Sequence, residues 1–139
     1  MIWDPLRKKS VALTPEEGVR QWFIGVLHEQ MGVPMHMMMS EVGLKFGSDV
    51  GGVAGVRRKT YRADIVVYDR ETRPLLVVEC KRPEVELTRD VLDQALRYNR
   101  VLGVRYVVLT NGSRTLLCKR EGESFVFLDQ APSWEEMLA

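Results

Sequence analysis

The stretch from Arg62 to Pro83, RADIVVYDRETRPLLVVECKRP, puts three charges where an apolar hairpin should hide its side chains. It reads as two strands, 61–68 and 75–81, joined by a turn around DRETRP. Asp64 lies near the start of the first strand, and Glu79 and Lys81 end the second. Side chains alternate across a strand, so Glu79 and Lys81 share a face. If the strands pair, Asp64 arrives at the same end of the sheet. The residues before Glu79 are LLVV, so the strand carries its charges out of the core. Unpaired charges there are costly, and a counter-charge or bound cation lowers the cost. Two carboxylates near one point favour a hard divalent cation such as magnesium. A lysine two residues beyond one of them can hold or deprotonate a water beside that cation. Metal, water and lysine together suit phosphodiester hydrolysis. Glu-x-Lys alone reads as a surface ion pair at an exposed strand end. Asp64 upstream and the helix that follows move the reading towards chemistry.

These residues need a scaffold, and the sequence predicts one. Thr14 is a candidate N-cap, followed by Pro15 at the first helical position and by Glu16 and Glu17 in the first turn. Val19, Phe23, Val26, Leu27 and Met31 continue at helical spacing until Gly32 and Pro34 stop the helix. A first strand is expected at 37–46. The glycine-rich 47–56 reads as a mobile loop or hairpin tip, without the order of a phosphate loop. A second helix is expected at 88–102, capped by Thr88 and stopped by Gly103, with Val91, Leu92, Ala95, Leu96 and Leu102 as its buried stripe. VRYVVLT and RTLLCKR flank the turn signal Asn111–Gly112 as strands. ESFVFLD adds one more strand, and the tail begins a short helix capped by Ser133. The order is helix, three strands, helix, strands: an α/β (α+β) fold with a mixed sheet flanked by helices.

The chain has 139 residues, 45% hydrophobic and 28% charged, which suits one domain over 1–139. A net charge of +1 gives no global case for an acidic or basic partner. The basic runs at 7–9 and 57–62 each read alone as a solvated face. Cys80 and Cys118 sit in apolar runs and read as buried free thiols. No apolar run approaches the roughly 20 residues that span a membrane. The N-terminus lacks the apolar region of a signal peptide, so a cytoplasmic protein is expected.

Asp64, a spacer, then Glu79-Cys80-Lys81 at a strand end resembles the PD-(D/E)XK nuclease superfamily. QALRY, with Gln94 and Tyr98 on one helix face, resembles the Gln-x-x-x-Tyr element of its RecB-like branch. More narrowly, IWDPLRKKSVALTPEEGVRQWFIGVL, the hairpin segment through ECKRPEVELT, and QALRYNRVLGVRYVVLTNG are similar to the N-terminal nuclease domain of type I restriction enzyme R subunits. The resemblance covers most of residues 2–112. It implies a restriction-endonuclease-like core and a metal-dependent deoxyribonuclease. Asp64 and Glu79 would ligate magnesium, for which manganese would substitute, with the main-chain carbonyl of Cys80 as a third ligand. Lys81 would be the catalytic lysine. Glu17 matches the acid that many members place near the metal or its water, with Glu16 its competitor. Gln94 and Tyr98 would position the nucleic-acid backbone or the lysine. Ala63 stands where the family has proline. No Walker lysine motif is present, so an ATP-driven translocase or other restriction-system subunits would be separate partners.

The basic loop, with Arg57, Arg58, Lys59 and Arg62, would contact phosphates beside Asp64, giving affinity rather than sequence specificity. One centre cuts one strand, so double-strand cleavage would call for a homodimer. Two other readings stay open: a non-catalytic module that binds nucleic acid or a partner chain, and a nuclease acting on RNA. His28 and His36 lack further ligands in register for zinc. The methionines at 35–39 read as part of a packed strand, and Trp3, Trp22 and Trp134 as packing residues.

Overall fold

The computed structural model describes residues 1–46 and 59–139, the side chains of 45, 46, 59 and 60 excepted. The glycine-rich 47–56, and Arg57 and Arg58 after it, lie outside the described residues. A short hairpin, β1 (Ile2–Asp4) and β2 (Lys9–Val11), comes first and pairs antiparallel. It was not foreseen, because three-residue strands carry too little periodicity to see. The turn between them does have a cause: the Asp4 carboxylate accepts from Leu6 N–H at 2.8 Å, an aspartate turn typical of Asp-Pro.

Helix α1 (Pro15–Gly25) starts as expected, with Thr14 Oγ1 accepting from Glu17 N–H at 3.1 Å. Its continuation widens: Met31 N–H reaches Val26 O at 3.1 Å, five residues back. The strand expected from 37 begins one residue later, after a tight turn at Met35–Met37. The main sheet then runs β3 (Met38–Phe46), β4 (Lys59–Tyr68), β5 (Pro74–Cys80), β6 (Tyr106–Thr110), β7 (Thr115–Glu121) and β8 (Ser124–Phe127), in that spatial order. Helix α2 (Arg89–Leu102) is the crossover between β5 and β6, which are parallel; the other described pairs in this sheet are antiparallel. Gly103 ends α2 at φ +73°, the left-handed conformation that favours glycine. Helix α3 (Trp134–Leu138) closes the fold with a capping box at Ser133.

The two long helices cover opposite faces of the sheet. Val19, Phe23, Ile24 and Leu27 of α1 pack on Ile65, Val67, Leu76, Val78 and Val108. On the other face, Leu92 of α2 packs with Leu109 and Cys118, and Tyr98 and Leu102 with Tyr61, Val66 and Val77. Strand β5 is therefore covered on both sides, which is why LLVV shows no alternation. Both cysteines are free and buried. Of the tryptophans, Trp134 packs in the core; Trp3 and Trp22 are 59% and 47% exposed, against expectation. Isolated tryptophans carry no periodic signal of their own, so sequence could not separate them. In the α2 stripe, Asn99 is fully buried and was not foreseen. No helix among the described residues is long and apolar enough to cross a membrane.

Candidate active site

Strands β4 and β5 pair with Ile65 opposite Val78, and the next residues towards this end of the two strands are Asp64 and Glu79. Asp64 Oδ2 accepts from the Cys80 main-chain N–H at 2.7 Å. Just past the end of β5, Lys81 Nζ lies 3.3 Å from Glu79 Oε1. Its own N–H donates to Thr110 O at 2.8 Å, which pins the strand end to β6. The structure thus brings Asp64, Glu79, Cys80 and Lys81 to one end of the sheet. Asp64 is mostly buried, and that burial pushes its carboxyl up to about 6. The Cys80 N–H and Arg20 oppose the rise, while the charges of Glu16 and Glu79 add to it.

On the α1 side stands an ionic cluster that sequence reasoning missed. Arg7, from the turn of the first hairpin, contacts Asp4 and reaches Glu17 Oε1 at 2.5 Å and Glu41 Oε2 at 3.3 Å. Glu17 also accepts from Gln21 Nε2 at 3.0 Å. Arg20, buried at 5% exposure, lies 3.6 Å from Glu17, 3.1 Å from Glu41 and 3.4 Å from Asp64. Its Nε and Nη1 meet their carboxylates at ion-pair distance without completing a hydrogen bond. Glu17 is therefore engaged by Arg7, Arg20 and Gln21, while Glu16 is among the charges that raise Asp64. Burial disfavours the ionised forms of Asp4 and Glu41, but their arginines outweigh it and hold both carboxyls below their usual range. A signal existed for part of this: Arg20 sits three and four residues after Glu17 and Glu16, on the same helix face. Glu41, inside an apolar strand, offered none beyond its charge.

Strand β3 keeps its register past this place. Ser40 pairs with Ile65 and Val42 with Ala63, so Glu41 stands across from Asp64. Its backbone has φ +54°, a left-handed conformation that costs a non-glycine residue on the order of 1 kcal/mol or more.

On the α2 face, Tyr98 stacks on Tyr61 with ring centroids 5.1 Å apart and planes at 15°. Burial, then the charges of Glu79 and Asp64, push the Tyr61 phenol up. The Tyr61 hydroxyl and Asn99 Oδ1 are buried without a completed hydrogen bond, although both Asn99 and Glu79 act on that hydroxyl. Gln94 is exposed. Arg62 is 71% exposed and pairs with Glu41 Oε2 at 3.3 Å. The side chain of Lys59 is not described. His28 Nδ1 lies 2.9 Å from Val33 O. An apolar cavity of about 280 Å³ beside Trp22, Met31 and Leu117 contains none of these candidate residues.

Among the described residues, no group of three or more His, Cys, Asp or Glu side chains converges as a ligand set. Two carboxylates and a main-chain carbonyl fit magnesium nonetheless. That ion takes one or two carboxylates and keeps its other positions for water and substrate phosphate.

Comparison with known proteins places the chain in a family and identifies its fold. A family model described as "Type I restriction enzyme R protein N terminus (HSDR_N)" matches residues 15–132. The endonuclease subunit of the type I restriction enzyme EcoAI from Escherichia coli is 35% identical over 104 residues, which is 70% of this chain and 13% of that protein. The chain therefore spans about an eighth of the curated relative it matches. Two solved structures share the fold. A fragment assigned to the HsdR subunit of a type I restriction enzyme from Vibrio vulnificus superposes with TM-score 0.62 at 23% identity, covering 92% of this chain and 25% of the other. A protein assigned as a DUF820 nuclease from Anabaena variabilis gives TM-score 0.51 at 13% identity, covering 88% and 72%.

Proposed function

The chain belongs to the type I restriction enzyme R protein N-terminal family, and from that premise we propose that it is a metal-dependent nuclease domain hydrolysing DNA phosphodiester bonds. One observation carries the reading. Asp64 and Glu79 come to the same end of the neighbouring strands β4 and β5, with the Cys80 N–H on Asp64 Oδ2 at 2.7 Å and Lys81 Nζ 3.3 Å from Glu79. Asp64, Glu79 and the Cys80 carbonyl would hold magnesium or manganese, which when bound would polarise the phosphate and acidify a water. Lys81 would orient that water and offset charge developing on the phosphate. Glu16 and Glu17 are the two acids α1 offers near this centre. Gln94, Tyr98, Arg62 and the basic residues 57–59 would contact the nucleic-acid backbone. Other restriction-system subunits would be its partners, as the EcoAI relative is itself a subunit; an ATP-driven translocase in a separate chain would be another, and a second copy would serve double-strand cleavage.

The test is cleavage of supercoiled and linear single-stranded DNA with magnesium or manganese, comparing the wild type with Lys81→Ala. Loss of cleavage in a folded mutant supports the reading; equal cleavage in both places the activity elsewhere. A second reading has its own support. Arg20 and Lys81 already stand beside Asp64 and Glu79 as counter-charges, as they would in a non-catalytic binding module. Manganese calorimetry separates the two: a module binds no metal, or binds it equally well as Asp64→Ala.

A further inference from the structure

We infer that Arg20 is a positioning residue that couples filling of the metal site to binding of nucleic acid, serving as the counter-charge of Asp64 until a divalent cation takes that place. This rests on the metal-dependent nuclease reading above. The Cys80 N–H fixes Asp64 Oδ2 at 2.7 Å. The oxygen with coordination to spare is Oδ1, and that is the one Arg20 Nη2 faces at 3.4 Å. A cation shared by Asp64 and Glu79 would therefore stand next to the Arg20 guanidinium. On the Glu79 side it would stand next to Lys81 Nζ as well. Repulsion among like charges in a mostly buried place opposes loading by the metal alone. A phosphodiester brings the negative charge that relieves it.

The route for this coupling is continuous. Asp64, Arg20, Glu41 and Arg62 form a chain of charges that ends in solvent at Arg62. Glu41 holds Arg20 through Oε1 and Arg62 through Oε2. A phosphate that draws Arg62 off Glu41 leaves that carboxylate with more charge for Arg20, which loosens Arg20 from Asp64. The left-handed backbone of Glu41, at the register position across from Asp64, accompanies this arrangement. Arg20 Nε and Nη1 pair with their carboxylates without completing a hydrogen bond, which suits a group held by charge and able to shift. Coupling of this kind is reciprocal, so metal would tighten nucleic-acid binding by the same factor.

The experiment is calorimetry of manganese binding, without and with a hydrolysis-resistant phosphorothioate DNA duplex. For the wild type, the duplex should tighten manganese binding by roughly tenfold, within the usual range of coupled sites. Arg20→Met should bind manganese roughly five- to tenfold more tightly than wild type without the duplex and gain little from it. Arg20→Lys should restore the coupling in part. Because Arg20→Met leaves Glu17 and Glu41 short of a partner, Arg20→Met/Glu41→Gln removes the charges as a pair. A simple count of charges predicts no change in that double variant, whereas the role of Arg20 predicts tighter metal binding and lost coupling. Manganese affinity and coupling equal to wild type in both variants would overturn the inference. Manganese that binds Asp64→Ala as well as wild type, or binds neither, would instead remove the metal site and this role with it.

Discussion

The Cys80 main-chain N–H donates to Asp64 Oδ2 at 2.7 Å, so the carboxylate offered by β4 is clamped by the strand that carries Glu79. Burial nevertheless pushes Asp64 up to about 6, above its usual 3.8. The folded state therefore takes up that proton more readily than the unfolded chain. Between about pH 4 and pH 6 the Asp64 contribution to stability falls as pH rises, by up to about 3 kcal/mol, and that cost stays in place above pH 6. Asp64→Asn removes it. Without metal, the variant should be more stable than wild type at pH 8 by about 1–2 kcal/mol and show no gain at pH 4. Urea melts at both pH values measure this, and equal differences at the two would refute it.

The two acids of α1 should separate. Glu17 holds Arg7 and Arg20, so Glu17→Ala leaves buried cations short of a partner and should cost about 3 kcal/mol. Glu16→Ala should change stability by no more than about 0.5 kcal/mol. It should lower the Asp64 pKa, because Glu16 is one of the charges raising it. Urea melts give the first result, and carboxyl titration by NMR the second. Stability unaffected by Glu17→Ala would mean that its contacts with Arg7 and Arg20 add nothing to the fold.

Tyr98 supports the α2 face through its stack on Tyr61. Tyr98→Ala should cost about 3 kcal/mol, the loss of a packed aromatic, while Tyr98→Phe should keep the stack and most of the stability. If the Tyr98 hydroxyl also serves the substrate, Tyr98→Phe will lower cleavage with the melt unchanged.

Arg62 is exposed and close to Asp64 through Glu41. If it meets a phosphate, Arg62→Ala should weaken DNA binding similarly across sequences and reduce the slope of log affinity against log salt by about 1. Fluorescence anisotropy at several salt concentrations gives that slope. An unchanged slope would leave Arg62 as a partner of Glu41 alone.

Local chemistry made much of this fold legible. Thr14, Thr88 and Ser133 cap their helices, Gly103 stops α2, and Asn111 closes its turn by accepting from Arg114 N–H at 2.7 Å. Asp64, Glu79 and Lys81 were visible because a charge ending an apolar run conflicts with its surroundings. Arg7 and Glu41 were not visible, and Arg20 only through its spacing from Glu16 and Glu17, because each looks like ordinary surface charge until tertiary contacts gather it into the cluster. Arg7 meets Glu17 across ten residues, and Arg20 meets Asp64 across forty-four. No window of helical or strand period spans such distances. Asn99 failed for a related reason: an amide on a buried stripe breaks the apolar pattern that defines it.

The parallel pairing of β5 with β6 has a consequence for synthesis. Up to Cys80 the chain can form β3, β4 and β5 as an antiparallel meander, but β5 then has no neighbour on its other side. Its partner begins at Tyr106, and the intervening residues must be translated first. At typical elongation rates that takes roughly 1–5 s. During this interval PLLVVEC presents an apolar edge with a single charge, the composition that invites pairing with other chains. The strand that delivers Glu79 is thus also the segment of the nascent chain most exposed to aggregation, and ribosome-associated chaperones would be expected to bind there before α2 and β6 emerge.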